Sequence, residues 1–130
     1  METYTRSSLL VAWGLVFAWI GVIVTTSLIS MSTIHGLDLS AAGMDRTLHA
    51  VSYGVLAIFL VRALAMGGIQ TGTANLLTLA AVLALGGAIE IVQPAVGRSA
   101  DIVDWLADGI GAAATLFLRA AWLSIAARPA

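Results

Sequence analysis

Residues 90–111 read EIVQPAVGRSADIVDWLADGIG, gathering Glu90, Gln93, Arg98, Asp101, Asp104 and Asp108 into the most polar part of an otherwise apolar chain. A charge at the centre of a bilayer costs about 3 kcal/mol on insertion scales. Ionisable groups this dense beside long apolar runs therefore mark a membrane boundary, where they are paired, hydrated or functional. Pro94 stops or kinks a helix, and Gly97 with Arg98 marks a tight turn. The stretch thus reads as the end of one membrane span and the start of the next.

Composition carries the same reading outward. Of 130 residues, 60% are hydrophobic and 10% charged, at a mean hydropathy of +1.00. A soluble domain carries about 25% charged residues, so these values predict a polytopic membrane protein. Four apolar stretches, at roughly 8–30, 45–66, 74–93 and 101–126, each approach or exceed the ~20 residues that span a bilayer. The predicted fold is an all-α, four-helix transmembrane bundle. It forms one domain over residues 1–130, because the connections at 32–44 and 66–73 are too short to hold another.

The first apolar run is too long for the core of a signal peptide and no A-x-A-like site closes it, so it reads as a retained span. Its Gly14, Ala18 and Gly21 form a small-residue face suited to close helix contact. Without cysteine there is no disulfide or thiol chemistry. A net charge of −1 gives no sign of nucleic-acid binding.

Orientation follows from the arginines. With both termini in the cytoplasm, Arg6, Arg62, Arg119 and Arg128 lie inside while Arg46 and Arg98 lie outside. The positive-inside rule favours this arrangement in a cell membrane. Trp122 is then expected at the inner interface and Trp105 at the outer one. Helices 2 and 4 start at the outer end, where helix 3 stops. The loop residue His35 reads as solvated.

The polar residues recur at helical spacing. Asp45, His49 and Tyr53 at i, i+4 and i+8 share one face of helix 2 and descend about 12 Å. Asp45 also suits an N-cap, and Tyr53 an interfacial aromatic. Glu90 and Gln93 share a face of helix 3, one turn past Gly86 and Gly87, which permit close approach. A structural reading of Glu90 ties it to Arg98 or Arg46. Asp101, Asp104 and Asp108 line a narrow stripe of helix 4, with Asp101 the natural cap. Asp108 lies deepest and is expected to be neutral or cation-paired.

Five acids (Asp45, Glu90, Asp101, Asp104 and Asp108) face two arginines (Arg46 and Arg98), a surplus of three negative charges with His49 neutral. Such a patch cannot stay both ionised and dry. Protons, water or a cation must fill it. A divalent metal would draw its ligands from His49, Glu90, Asp104 and Asp108.

In order along the chain, Asp45-Arg46-x-x-His49-x-x-x-Tyr53, Glu90-x-x-Gln93-x-x-x-Gly97-Arg98 and Asp104-x-x-x-Asp108-x-x-Gly111 resemble the VanZ-like family. That family's usual pattern is D-K-x-x-H-x-x-x-Y, E-x-x-Q-x-x-x-G-R and D-x-x-x-N-x-x-G. The resemblance covers residues 45–111. Arg46 stands where Lys is usual, which alters hydrogen-bond geometry, and Asp108 stands where Asn is usual, which adds an acid.

The resemblance implies an integral membrane protein of the cell envelope, in a family named for a protein linked to low-level teicoplanin resistance. With helices 2 and 4 starting and helix 3 stopping at the outer end, Asp45, Arg46, His49, Tyr53, Glu90, Gln93, Arg98, Asp104 and Asp108 are the candidate pocket.

Two functions follow from these residues. In the first, an outward pocket binds or modifies a lipid-linked or glycopeptide-type ligand. Arg46 and Arg98 hold anionic groups there, and the carboxylates take amines or hydroxyls. In the second, the protein is a membrane-embedded enzyme, with His49 or Glu90 as general base and Asp104 and Asp108 as a second acid or metal carboxylates. An ion or proton carrier fits less well, because the polar path stops partway and the inner half is apolar.

Overall fold

The computed structural model of the chain describes residues 4–29 and 42–126. They form four helices, α1 (Arg6–Leu28), α2 (Ala42–Met66), α3 (Thr71–Val92) and α4 (Ile102–Ala126), with a 3-10 turn at Gln93–Val96 and no strand among the described residues. The protein is an all-α four-helix bundle, and each helix contains a segment long and apolar enough to cross a membrane. Most of the expected loop at 32–44 lies outside the described residues, and α2 begins at Ala42.

Local chemistry sets the helix ends. The Thr5 hydroxyl caps α1 by accepting from the Ser8 amide at 3.2 Å. The α2 end is a Schellman motif with Gly68 in the left-handed region at φ 85°. The Gly68 amide donates to Ala65 at 3.0 Å and the Ile69 amide to Leu64 at 3.1 Å. At the end of α3, Pro94 has no amide hydrogen to continue the ladder, so the chain tightens into the 3-10 turn. Gly97, at φ 79°, then reverses it. Asp101 caps α4, with Oδ1 accepting from the Val103 amide at 2.8 Å.

Both α2 and α3 touch all three other helices, and the most extensive contact in the bundle is between α2 and α4. The two run parallel and cross where Gly111 meets Ala50. A Cβ on Gly111 would overlap the Ala50 carbonyl. One turn further on, a Cβ on Gly54 would lie 3.0 Å from the Thr115 hydroxyl. Small residues here replace the hydrophobic drive that lipid cannot supply between apolar helices.

The core runs from Tyr53, Leu56, Ala57 and Leu60 of α2 to Val82 and Ile89 of α3 and Ala112 of α4. From α1 it takes Ala12, Val16 and Ile23, and the Trp19 indole donates to the Ser52 carbonyl at 2.8 Å. The outer surface is apolar, with Ile91 81% and Phe117 73% exposed, as expected of side chains that face lipid.

One expectation about packing is corrected. Gly14, Ala18 and Gly21 are exposed rather than at a helix contact, because α1 turns its Ala12–Val16–Ile23 face inward. Trp105 lies across Gly86 and Gly87 and donates from Nε1 to the Leu83 carbonyl at 2.9 Å, so it is a packing residue between α4 and α3.

Gly111→Ala places a methyl group against backbone rather than a movable side chain. It should destabilise the bundle by about 1–3 kcal/mol, the usual cost of overpacking. Gly14→Ala, with no neighbour within 4 Å of the added carbon, should be near neutral. Thermal melting of both variants in detergent checks the difference.

Candidate functional site

The parallel course of α2 and α4 sets matching i, i+4 pairs opposite each other. Asp45 and His49 on α2 face Asp104 and Asp108 on α4. At the lower level, His49 Nδ1 lies 2.9 Å from Asp108 Oδ1, with His49 8% exposed and Asp108 fully buried. An ionised Asp108 accepts the Nδ1–H, which fixes the ring and leaves Nε2 as the nitrogen open to other chemistry. Tyr53 stacks beneath the imidazole at 6.2 Å and 12° between planes.

Gly86 of α3 makes room for this pair. A Cβ there would overlap Asp108 Oδ2. Asp108 Oδ2 and the Tyr53 hydroxyl are both buried without a hydrogen-bond partner among the described residues. Glu90 lies nearby. Its Oε2 accepts from the Asp101 amide at 2.7 Å, tying the α3 end to the α4 start, while Oε1 is buried and unpartnered.

At the upper level, one donor atom each from Asp45, His49 and Asp104 lies within 4.8 Å of the other two. These three form a group that could hold a metal ion. Of the ligands expected from the sequence, His49 and Asp104 belong to this group. Asp45 joins His49 and Asp104, Asp108 is taken up by the imidazole, and Glu90 by the Asp101 amide.

The arginines are spent differently from either expectation. Arg98 Nη1 donates to the carbonyls of Thr26 and Ser27 at 3.4 and 3.3 Å, and Gln93 Nε2 donates to Ser27 at 3.4 Å. Both serve the final carbonyls of α1, which have no intrahelical donor. Arg98 Nη2 also approaches Asp45 Oδ2 at 3.8 Å, and Arg46 Nη2 approaches Asp101 Oδ2 at the same distance. These partly exposed pairs are worth about 0–1 kcal/mol each. Neither arginine pairs with Glu90 or Asp108.

The nine candidate residues thus fall into two sets. His49, Tyr53, Glu90, Asp104, Asp108 and Asp45 converge at the α2–α4 crossing, while Arg98 and Gln93 reach α1, and Arg46 reaches the α4 cap. Sequence reasoning missed Ser27 and Thr26, whose contribution is main-chain carbonyls and leaves no side-chain signature. It also passed over Asn75, which accepts from Arg119 Nη1 at 3.2 Å near the opposite end.

No protein-family model, curated protein or solved structure matches this chain.

His49→Ala leaves the Asp108 carboxylate buried without its donor. Breaking a buried pair from one side costs about 3–5 kcal/mol, far more than a typical interhelical hydrogen bond in a membrane. The melting temperature of His49→Ala should fall accordingly. Adding Asp108→Asn to it should restore much of the loss, because no charge is then stranded. Equal instability of single and double variants would show that packing against Tyr53 is lost instead.

Proposed function

We propose that this chain is a VanZ-like membrane protein of the cell envelope, with both termini in the cytoplasm. Its polar end faces outward and binds and modifies the polar head of a lipid-linked or glycopeptide-type ligand. The observation that carries this reading is the buried His49–Asp108 bond, 2.9 Å long, beneath the more open Asp45 and Asp104. A histidine held by a buried carboxylate is a general base with its free nitrogen aimed by the protein.

In this reading His49 Nε2 takes a proton from a hydroxyl or water at the ligand's head, and Asp108 stabilises the imidazolium that forms. Arg46, at the rim and weakly engaged, meets an anionic group on the ligand. Burial of the pair and apolar walls below it strengthen these electrostatic contacts. The three motifs shared with the VanZ-like pattern support the family and, through it, a part in teicoplanin resistance. The His49–Asp108 pair favours modification over binding alone.

The conservative test is Glu90→Gln. Its amide oxygen still accepts the Asp101 amide, so insertion and folded yield should match the wild type. Any step that uses the Glu90 carboxylate should be lost, read as the teicoplanin tolerance of cells expressing each form. His49→Gln should likewise abolish tolerance with the protein still in the membrane. Unchanged tolerance with His49→Gln would overturn the general-base role.

Orientation has its own check, because the chain has no cysteine. Ser99→Cys, at the polar end, should react with an impermeant thiol reagent in intact cells. Gln70→Cys, at the opposite end, should react only after lysis.

A further inference from the structure

We propose that Asp45, His49 and Asp104 bind a first-row divalent cation, Mn²⁺ or Zn²⁺, at the mouth of the α2–α4 crossing. The proposal refines the reading above at the same polar end: His49 Nε2 cannot both hold the ion and take a proton, so with the ion bound the base is ion-bound water rather than the imidazole. Metal binding itself needs no lipid-linked ligand.

The donor set comes first. One ring nitrogen and two carboxylate oxygens lie within 4.8 Å of one another. Tetrahedral ligands about 2.2 Å from one ion stand about 3.6 Å apart, so the donors close by up to about 1.2 Å when an ion binds. Asp45 and Asp104 are half-exposed at helix starts, where side chains are free to make that adjustment. Imidazole with two carboxylates suits Mn²⁺ or Zn²⁺ better than the all-oxygen sites of Mg²⁺ and Ca²⁺.

Orientation of the histidine is the next point. Asp108 occupies Nδ1, so Nε2 is the nitrogen left for a metal. Metal-binding histidines commonly give their other N–H to a carboxylate in this way, and loss of that partner weakens affinity 10–100-fold. Asp108 is thus a positioning residue for the metal rather than a ligand.

An independent observation points to a cation at this end of the bundle. Glu90 is nine-tenths buried, and its Oε1 has no partner among the described residues. It lies within electrostatic reach of His49, Asp104 and Asp108. Arg98 and Arg46 stop 3.8 Å from Asp45 and Asp101, longer than a hydrogen bond, and neither forms an ion pair with Asp104. A cation held by Asp45 and Asp104 balances these acids, and water bound to it supplies the donor that Glu90 Oε1 lacks.

The test uses the full chain, purified in detergent through a tag without histidine, stripped with chelator and titrated with Mn²⁺. Loss of the free Mn²⁺ resonance in electron paramagnetic resonance reads occupancy, and displacement by Zn²⁺ reads competition. One ion per chain is expected. Asp104→Asn and Asp45→Asn should each weaken binding at least tenfold, and Asp108→Asn should weaken it 10–100-fold. Asp101→Asn, which keeps an equally good helix cap, should leave it unchanged.

Asp104→Asn is the deciding variant, because its side chain has no hydrogen bond or ion pair to lose among the described residues. Circular dichroism confirms that it is folded. Absence of stoichiometric Mn²⁺ binding and of Zn²⁺ competition, or binding indifferent to Asp104→Asn, overturns the proposal. If metal binding fails while wild-type tolerance persists and is lost in His49→Gln, only the metal site falls. If metal binds as expected and tolerance is indifferent to His49→Gln, the general-base reading falls instead.

Discussion

The close approach of α2 and α4 at Ala50 and Gly111 is the constraint from which the polar end follows. With no side chain between the two backbones, their rotation and register are fixed together. His49 lies one residue before Ala50, and Asp108 three residues before Gly111. Bringing the backbones together therefore brings the imidazole to the carboxylate. Separation by even one methyl group would lengthen the 2.9 Å bond and leave Asp108 buried beside nothing that could neutralise it. Apolar close packing and polar chemistry in this bundle are consequences of one contact.

The surplus of acid is managed by division rather than by pairing each acid with an arginine. Asp101 is absorbed as a helix cap, Asp108 by His49, and one oxygen of Glu90 by a main-chain amide. The arginines meanwhile satisfy carbonyls and rim carboxylates. Arg98 and Gln93 hold the end of α1 against the 3-10 turn, an assembly of otherwise unmatched main-chain groups. In hydrocarbon an unmatched carbonyl costs several kcal/mol, so two long polar side chains are well used there. Asp45 and Asp104 are left as the acids with room for a ligand.

The bundle also illustrates how little a membrane helix surface reveals about its neighbours. Both faces of α1 are apolar, and the face with Gly14, Ala18 and Gly21 has the pattern usually associated with helix contact. The inward face instead carries Ala12, Val16, Trp19 and Ile23, and the Trp19 indole finds the Ser52 carbonyl. A specific hydrogen bond from a large side chain fixes this helix better than smoothness would.

Much was legible from the sequence because it depends on neighbours along the chain. Hydropathy determines the four spans, since ~20 apolar residues are needed whatever they pack against. Pro94 and Gly97 determine the break after α3, and Asp101 the start of α4, because capping and proline geometry act within a single turn. The convergence of Asp45, His49, Asp104 and Asp108 at one end was also readable, from helical spacing and alternation of direction. Tertiary structure alone decided the partners. His49 and Asp108 are 59 residues apart, and their contact depends on how each helix is rotated about its axis. That rotation is set by Gly111, Gly54 and Gly86, whose role is to lack a side chain where another residue must fit. The same freedom sent the arginines to α1 and to the α4 cap, because long flexible side chains reach whichever unmatched group the assembled bundle leaves within range.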